Sequence, residues 1–84
     1  MTISIDLVSD LNAEDDQGQN WALLGNAVDA ARVRPGAVLV AGSERFWAVV
    51  RVTAVDDDGQ VHFVQLAHDD PDARRLLSRT SQAR

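Results

Sequence analysis

The chain has 84 residues, 45% of them apolar, with thirteen acids, eight basic residues that are all arginine, and a net charge of −5. That size allows one domain with a thin core, and the lack of cysteine excludes disulfide staples and thiolate zinc sites. Net acidity argues against a general phosphate-backbone binder, which carries a basic footprint. No apolar run approaches the ~20 residues of a membrane-spanning helix.

Residues 2–8 alternate, with Ile3, Ile5 and Leu7 on one face and Thr2, Ser4 and Asp6 on the other, the period of a half-buried strand. The polar stretch from Ser9 to Asn20 reads as a loop. Trp21, Leu24, Val28 and Ala31 then share one helical stripe, so a helix is predicted over 21–32, with Asn20 as its cap, Arg32 and Arg34 at its negative end and Pro35 to stop it. Gly25 is a weakness there, costing about 1 kcal/mol relative to alanine.

From the turn signal Pro35-Gly36 onward the pattern is β. Ala37 to Ala41 is a short strand, and Gly42-Ser43-Glu44-Arg45 is a hairpin loop. Phe46 to Val55 is the longest strand. Its apolar face is Phe46, Ala48, Val50, Val52 and Ala54; its mixed face is Trp47, Val49, Arg51, Thr53 and Val55. Asp58-Gly59 signals a two-residue type I′ hairpin, in which both central residues have positive φ. Gln60 to Leu66 returns as the last strand. Asp70 as a cap, Pro71 at the first helical position and Asp72 in the first turn open a C-terminal helix, which Leu76 and Leu77 can dock. The domain spans 1–79, and 80–84 is a frayed tail.

These elements add up to an α+β domain: a small antiparallel meander or partly open SH3-like barrel, with one helix and a short C-terminal helix. The expected core is Ile3, Ile5, Leu7, Leu24, Val28, Val38, Val40, Ala48, Val50, Val52, Val61 and Phe63. Self-association is one route by which so small a domain can cover more apolar surface.

Several groups invite a chemical reading. Asp10, Asn12 and Glu14 match the first oxygen ligands of a calcium loop, but Asp15 stands where the loop needs glycine and Trp21 where it needs the bidentate glutamate. A solvated acidic loop over 9–20 is the better reading. The run Asp56-Asp57-Asp58-Gly59 is explained by turn chemistry. His62 lies mid-strand with no nucleophile pattern around it; the serines at 4, 9, 43, 78 and 81 form no nucleophile elbow, and no glycine-rich phosphate loop occurs. With His62 and His68 the only histidines, no metal site and no cofactor are expected. Trp21 reads as core. Trp47, on the mixed strand face with Arg45 and Arg51, has the make-up of an interface anchor.

Charge is blocked along the chain: 1–31 and 56–70 are acidic, while 32–55 and 71–84 are basic. Solvated faces that attract one another after folding account for this. The N-terminus lacks the basic and apolar regions of a signal peptide, so a cytoplasmic location without membrane contact is expected.

The stretch from Arg34 to Gly42, then Val49 to Val55, then Gly59 to Leu66, resembles the strand-turn-strand rhythm of small SH3-like barrels. Asp6, Asp10-Leu11-Asn12, Glu14-Asp15, Gly18, Trp21, Leu24, Pro35-Gly36, Val40-Ala41-Gly42 and Val61-His62 are similar to a group of short proteins from high-GC Gram-positive bacteria. That resemblance implies one compact domain over residues 3–66 and transfers no functional residue, because the group has no assigned activity.

The resulting expectation is a non-enzymatic protein-interaction module, homodimeric or with another protein, presenting Trp47, Arg45 and Arg51. A nucleic-acid-associated barrel gathering Arg45, Arg51, Arg74, Arg75 and Arg79 is the alternative, and a divalent-ion protein using the acidic loop is the third reading.

Overall fold

The computed structural model describes residues 4–12, 14–15 and 18–82. Its one sheet holds β1 (Leu7–Val8), β2 (Asn20–Leu23), β3 (Val38–Gly42), β4 (Trp47–Val55) and β5 (Gln60–Gln65), in the order β1-β3-β4-β5-β2. A C-terminal helix, α1, runs Pro71–Gln82. β1 lies parallel to β3, and every other pairing is antiparallel. The sheet curls until its edge strands approach each other, making a nearly closed α+β barrel with an unsealed seam. Across the seam Leu7 bridges to Ala27, and the Val28 amide donates to the Asp6 carbonyl at 3.0 Å. Among the described residues no helix is long and apolar enough to cross a membrane.

The core lies inside the curl, where Leu7, Ala22, Leu39, Ala41, Val50, Val52, Val61 and Phe63 pack together with Leu11 and Val33. Val50 and Val52 face inward as expected, at 0% and 1% exposure, which fixes the register of β4. β3 takes the opposite facing from the expected one. Leu39 and Ala41 pair with Val50 and Ala48 inside, whereas Val38 pairs with Arg51 and Val40 with Val49 outside. Val40 and Val49 are buried even so, because α1 packs on the outer face of β3 and β4. With both faces of this strand pair covered, alternation carries no signal about which side is the core. Ile5 is half-buried, and Ile3 lies outside the described residues.

The predicted helix over 21–32 does not form. Its first residues are β2, which adds to the free edge of β5, and the rest is two short 3-10 turns, Leu24–Asn26 and Ala30–Arg32. The helical stripe is dispersed: Trp21 is half-buried, Leu24 packs against the core, Val28 is 79% exposed and Ala31 is exposed. A lone segment of this length is marginal as a helix, while an open strand edge beside it satisfies the same backbone groups and buries Ala22. Asn20 is no helix cap; its side-chain amide donates to the Leu11 carbonyl at 2.7 Å and its carbonyl accepts from Gln65 at 3.1 Å.

Two further local corrections follow from hydrogen bonding. The β4–β5 turn is not type I′, because only Gly59 has positive φ (+87°). The Gly59 amide donates to the Asp56 carbonyl at 3.0 Å, and the Asp56 amide to Gln60 at 2.8 Å. That is a three-residue hairpin, in which a turn over Asp57-Asp58 is followed by a left-handed glycine. Within β4 the ladder slips between Val52 and Ala54, so Thr53 is the extra residue of a bulge. The predicted apolar face therefore breaks at both ends. Ala54 turns outward opposite His62, Val55 turns inward opposite Val61, and Phe46, ahead of the strand, is 65% exposed.

α1 begins as predicted, with the Asp70 carboxylate accepting from the Asp72 amide at 2.9 Å and Pro71 in the first turn.

Candidate functional site

Two places on the outer surface collect side chains capable of binding or chemistry. One lies at the start of β4. The turn Ser43–Phe46 is closed by reciprocal amide-to-carbonyl bonds of 2.9 and 3.1 Å between Ser43 and Phe46. It pushes Phe46 into solvent and leaves Trp47 38% exposed at the mouth of a groove of about 290 Å³. Leu66, His68, Ala73 and Leu77 line the groove as well. Exposed Arg45 stands at this turn and has no ion-pair partner among the described residues.

Arg51, the third residue of the predicted constellation, is placed differently. Its guanidinium bonds the Asp72 carboxylate of α1, and Arg75 reaches the same carboxylate at 3.6 Å. Arg51 thus ties the helix to the sheet, whereas Trp47 and Arg45 present themselves outward. Two of the five arginines required by a nucleic-acid reading thus share one aspartate, which offsets one of their two charges.

The second place surrounds His62. Its Nδ1 lies 2.6 Å from Asp15 Oδ2 and its Nε2 lies 2.7 Å from Asp56 Oδ2. Beneath them Thr53 Oγ1 sits 2.6 Å from Gln19 Oε1 and 3.1 Å from the His62 carbonyl. These residues, with Ala54 and Gln60, line an open recess of about 530 Å³. The imidazole side chain is 15% exposed. Hydrogen bonding to Asp56, then to Asp15, raises its pKa above the ordinary 6.5, outweighing the opposing effect of partial burial. No nitrogen of the ring is left over for a substrate, so the group acts as a bridge between two acids.

No protein-family model, curated protein or solved structure matches the chain. Its functional reading therefore rests on these two surfaces.

The Asp15–His62–Asp56 bridge has no local signature. Asp15 is 47 residues from His62 along the chain and Asp56 is six; they meet because β2 folds back beside β5 and because the bulge turns Asp56 outward. Among the described residues no group of three or more His, Cys, Asp or Glu side chains is placed to hold a metal. In the acidic loop, Asp10 Oδ1 accepts from the Asn12 amide at 2.9 Å, an ordinary side-chain turn.

Proposed function

We propose that this protein is a non-enzymatic interaction module whose hairpin tip, Arg45-Phe46-Trp47, docks a partner protein presenting an apolar side chain beside a carboxylate. The observation that carries the reading is the exposure of Phe46 and Trp47 together, at 65% and 38%, next to an apolar groove and an arginine without an ion-pair partner among the described residues. Adjacent exposed aromatics are uncommon on a surface with nothing to bind, and aromatic and arginine side chains are the residues on which interface energy concentrates. The charge of Arg45 selects the chemistry of the occupant: an acidic rim around an apolar anchor. On this reading the sheet works as a small SH3-like barrel in the cytoplasm.

Display of random peptides against the immobilised full-length protein tests it. Wild type should enrich apolar peptides with flanking acids. Trp47→Ala should abolish enrichment while the thermal melt stays cooperative, and Arg45→Glu should switch the flanking preference from acidic to basic. Enrichment that ignores both substitutions overturns the proposal. Sedimentation of the free protein reports whether a second copy takes the same surface: a dimer dissociated by Trp47→Ala would make the partner the chain itself and refute a separate acidic one.

A further inference from the structure

The His62 bridge has a property that the hairpin-tip reading leaves unused. Both of its partners are carboxylates, and an ionised carboxylate only accepts hydrogen bonds. A neutral imidazole owns one N–H, so it can satisfy Asp15 or Asp56 but must turn a lone pair on the other. The observed contacts of 2.6 and 2.7 Å, one at each ring nitrogen, are both favourable only when the ring carries two protons.

The consequence of losing a proton is carried by Asp15. Its Oδ2 faces His62, while its Oδ1 accepts from the Gln19 amide at 2.9 Å. Its backbone is bonded to Gln19 at 2.7 Å and to the Gly18 amide at 3.0 Å. Glu14 bridges to Asn20, the first residue of β2. Asp15 is therefore one point, beside the Thr53–Gln19 contact, at which the lead-in to β2, an edge strand at the unsealed seam, is fastened to the β4–β5 hairpin. On the other side of the ring Asp56 belongs to that hairpin.

The surroundings leave the proton count in control. Trp21 of β2 and Ala54 of β4 lie opposite His62 in the ladder, and neither titrates. Thr53, Gln19 and Gln60 are neutral, so among the described residues lining the recess Asp15 and Asp56 are the charged groups besides the ring. Deprotonation leaves two carboxylates facing one another across a neutral ring.

We propose that His62 is a pH-operated latch: with both ring protons it clamps Asp15, and with it the lead-in to β2, onto the β4–β5 hairpin, and on losing one it lets that segment go. The latch makes the firmness of the barrel seam respond to pH, with the closed form on the acid side.

Nuclear magnetic resonance of the labelled full-length chain, titrated upward from about pH 5, tests this. His62 should titrate at higher pH in the folded protein than in the same chain unfolded in urea. The amides of Asp15, Gly18 and Gln19 should follow the His62 curve and lose exchange protection above it. Asp56→Asn discriminates the latch from a merely structural contact. With that acid gone, a neutral ring can keep its one proton on Nδ1 for Asp15, so the three amides should stay protected at high pH. Equal titration of His62 in the folded and unfolded chains, or amides that remain flat through its titration, overturns the latch. Should Asp56→Asn fail to fold, the wild-type titration decides alone.

Discussion

Gly42, the last residue of β3, is where the display of Phe46 and Trp47 is most exposed to a single substitution. Its φ is +124°, a conformation that side chains rarely adopt, and a Cβ built there would sit 2.3 Å from the Phe46 carbonyl oxygen and 2.8 Å from the Trp47 Cα. Both obstacles are backbone, so no side chain can swing away. Gly59 supplies the comparison: its φ is +87°, but an added Cβ would meet nothing within 4 Å. Gly59→Ala should therefore incur only the conformational penalty, about 1–3 kcal/mol. Gly42→Ala adds an overpacking term of roughly 1–3 kcal/mol, for a total of about 2–6 kcal/mol. A domain of this length has about 4–13 kcal/mol in all at the usual stability per residue. Urea unfolding followed by circular dichroism reads both variants, and Trp47 fluorescence in a Trp21→Phe background reads whether the tip has moved. Equal destabilisation by the two alanines, or an unmoved Trp47 signal in Gly42→Ala, would refute the steric argument.

The raised pKa of His62 has a definite sign in stability. Folding favours the protonated ring, so its contribution is fully present below the unfolded value of 6.5 and is lost as pH rises through the higher folded value. The urea midpoint should fall across that window in wild type and lose this component in His62→Gln; an unchanged slope would remove the linkage. The Arg51–Asp72 pair, 38% exposed on both sides, should contribute no more than about 1 kcal/mol in a double-mutant cycle and shrink with added salt. A larger, salt-independent coupling would mean that the pair acts through the seating of α1.

The parts of the fold legible from the sequence are those in which one local pattern had one physical outcome. Val50 and Val52 alternate along a strand of nine residues, and the Asp70-Pro71-Asp72 start of α1 is a capping arrangement that works wherever it occurs. The 21–32 segment went the other way because its stripe competes with an edge of β5 that becomes available only after the meander has formed; propensity is a weak prior against such a partner. Leu11 falls in a polar stretch of sequence, yet it is 8% exposed and packs in the core cluster. Within the candidate sites, Trp47 lies on the mixed face of β4 and Arg45 in the turn before it, as the strand pattern has them. Arg51 shares that face but is claimed by Asp72, a contact that depends on where α1 docks. The His62 bridge joins three segments and was hidden for the same reason.

The bulge at Thr53 is the device that makes this bridge, and it can be tested by removing it. In an unbroken ladder continuing from Val52 opposite Phe63, Thr53 would face His62 and Ala54 would face Val61. Asp56 would then inherit an inward direction. The extra residue reverses this: Val55 fills the core opposite Val61, and Asp56 emerges on the face where His62 lies. Deleting Thr53 should therefore replace Val55 with the smaller Ala54 in the core and aim the Asp56 carboxylate at apolar surroundings, where an unpaired charge is strongly disfavoured. Thr53→Ala, which keeps the residue count, should lose only the single hydrogen bond that the hydroxyl donates between Gln19 Oε1 and the His62 carbonyl, about 1 kcal/mol. The His62 titration separates the two variants. It should stay raised in Thr53→Ala and fall part of the way toward the unfolded value in the deletion, because the Asp56 contact is lost while that to Asp15 remains. A deletion variant that folds and titrates as wild type does would show that the hairpin, not the bulge, sets the position of Asp56.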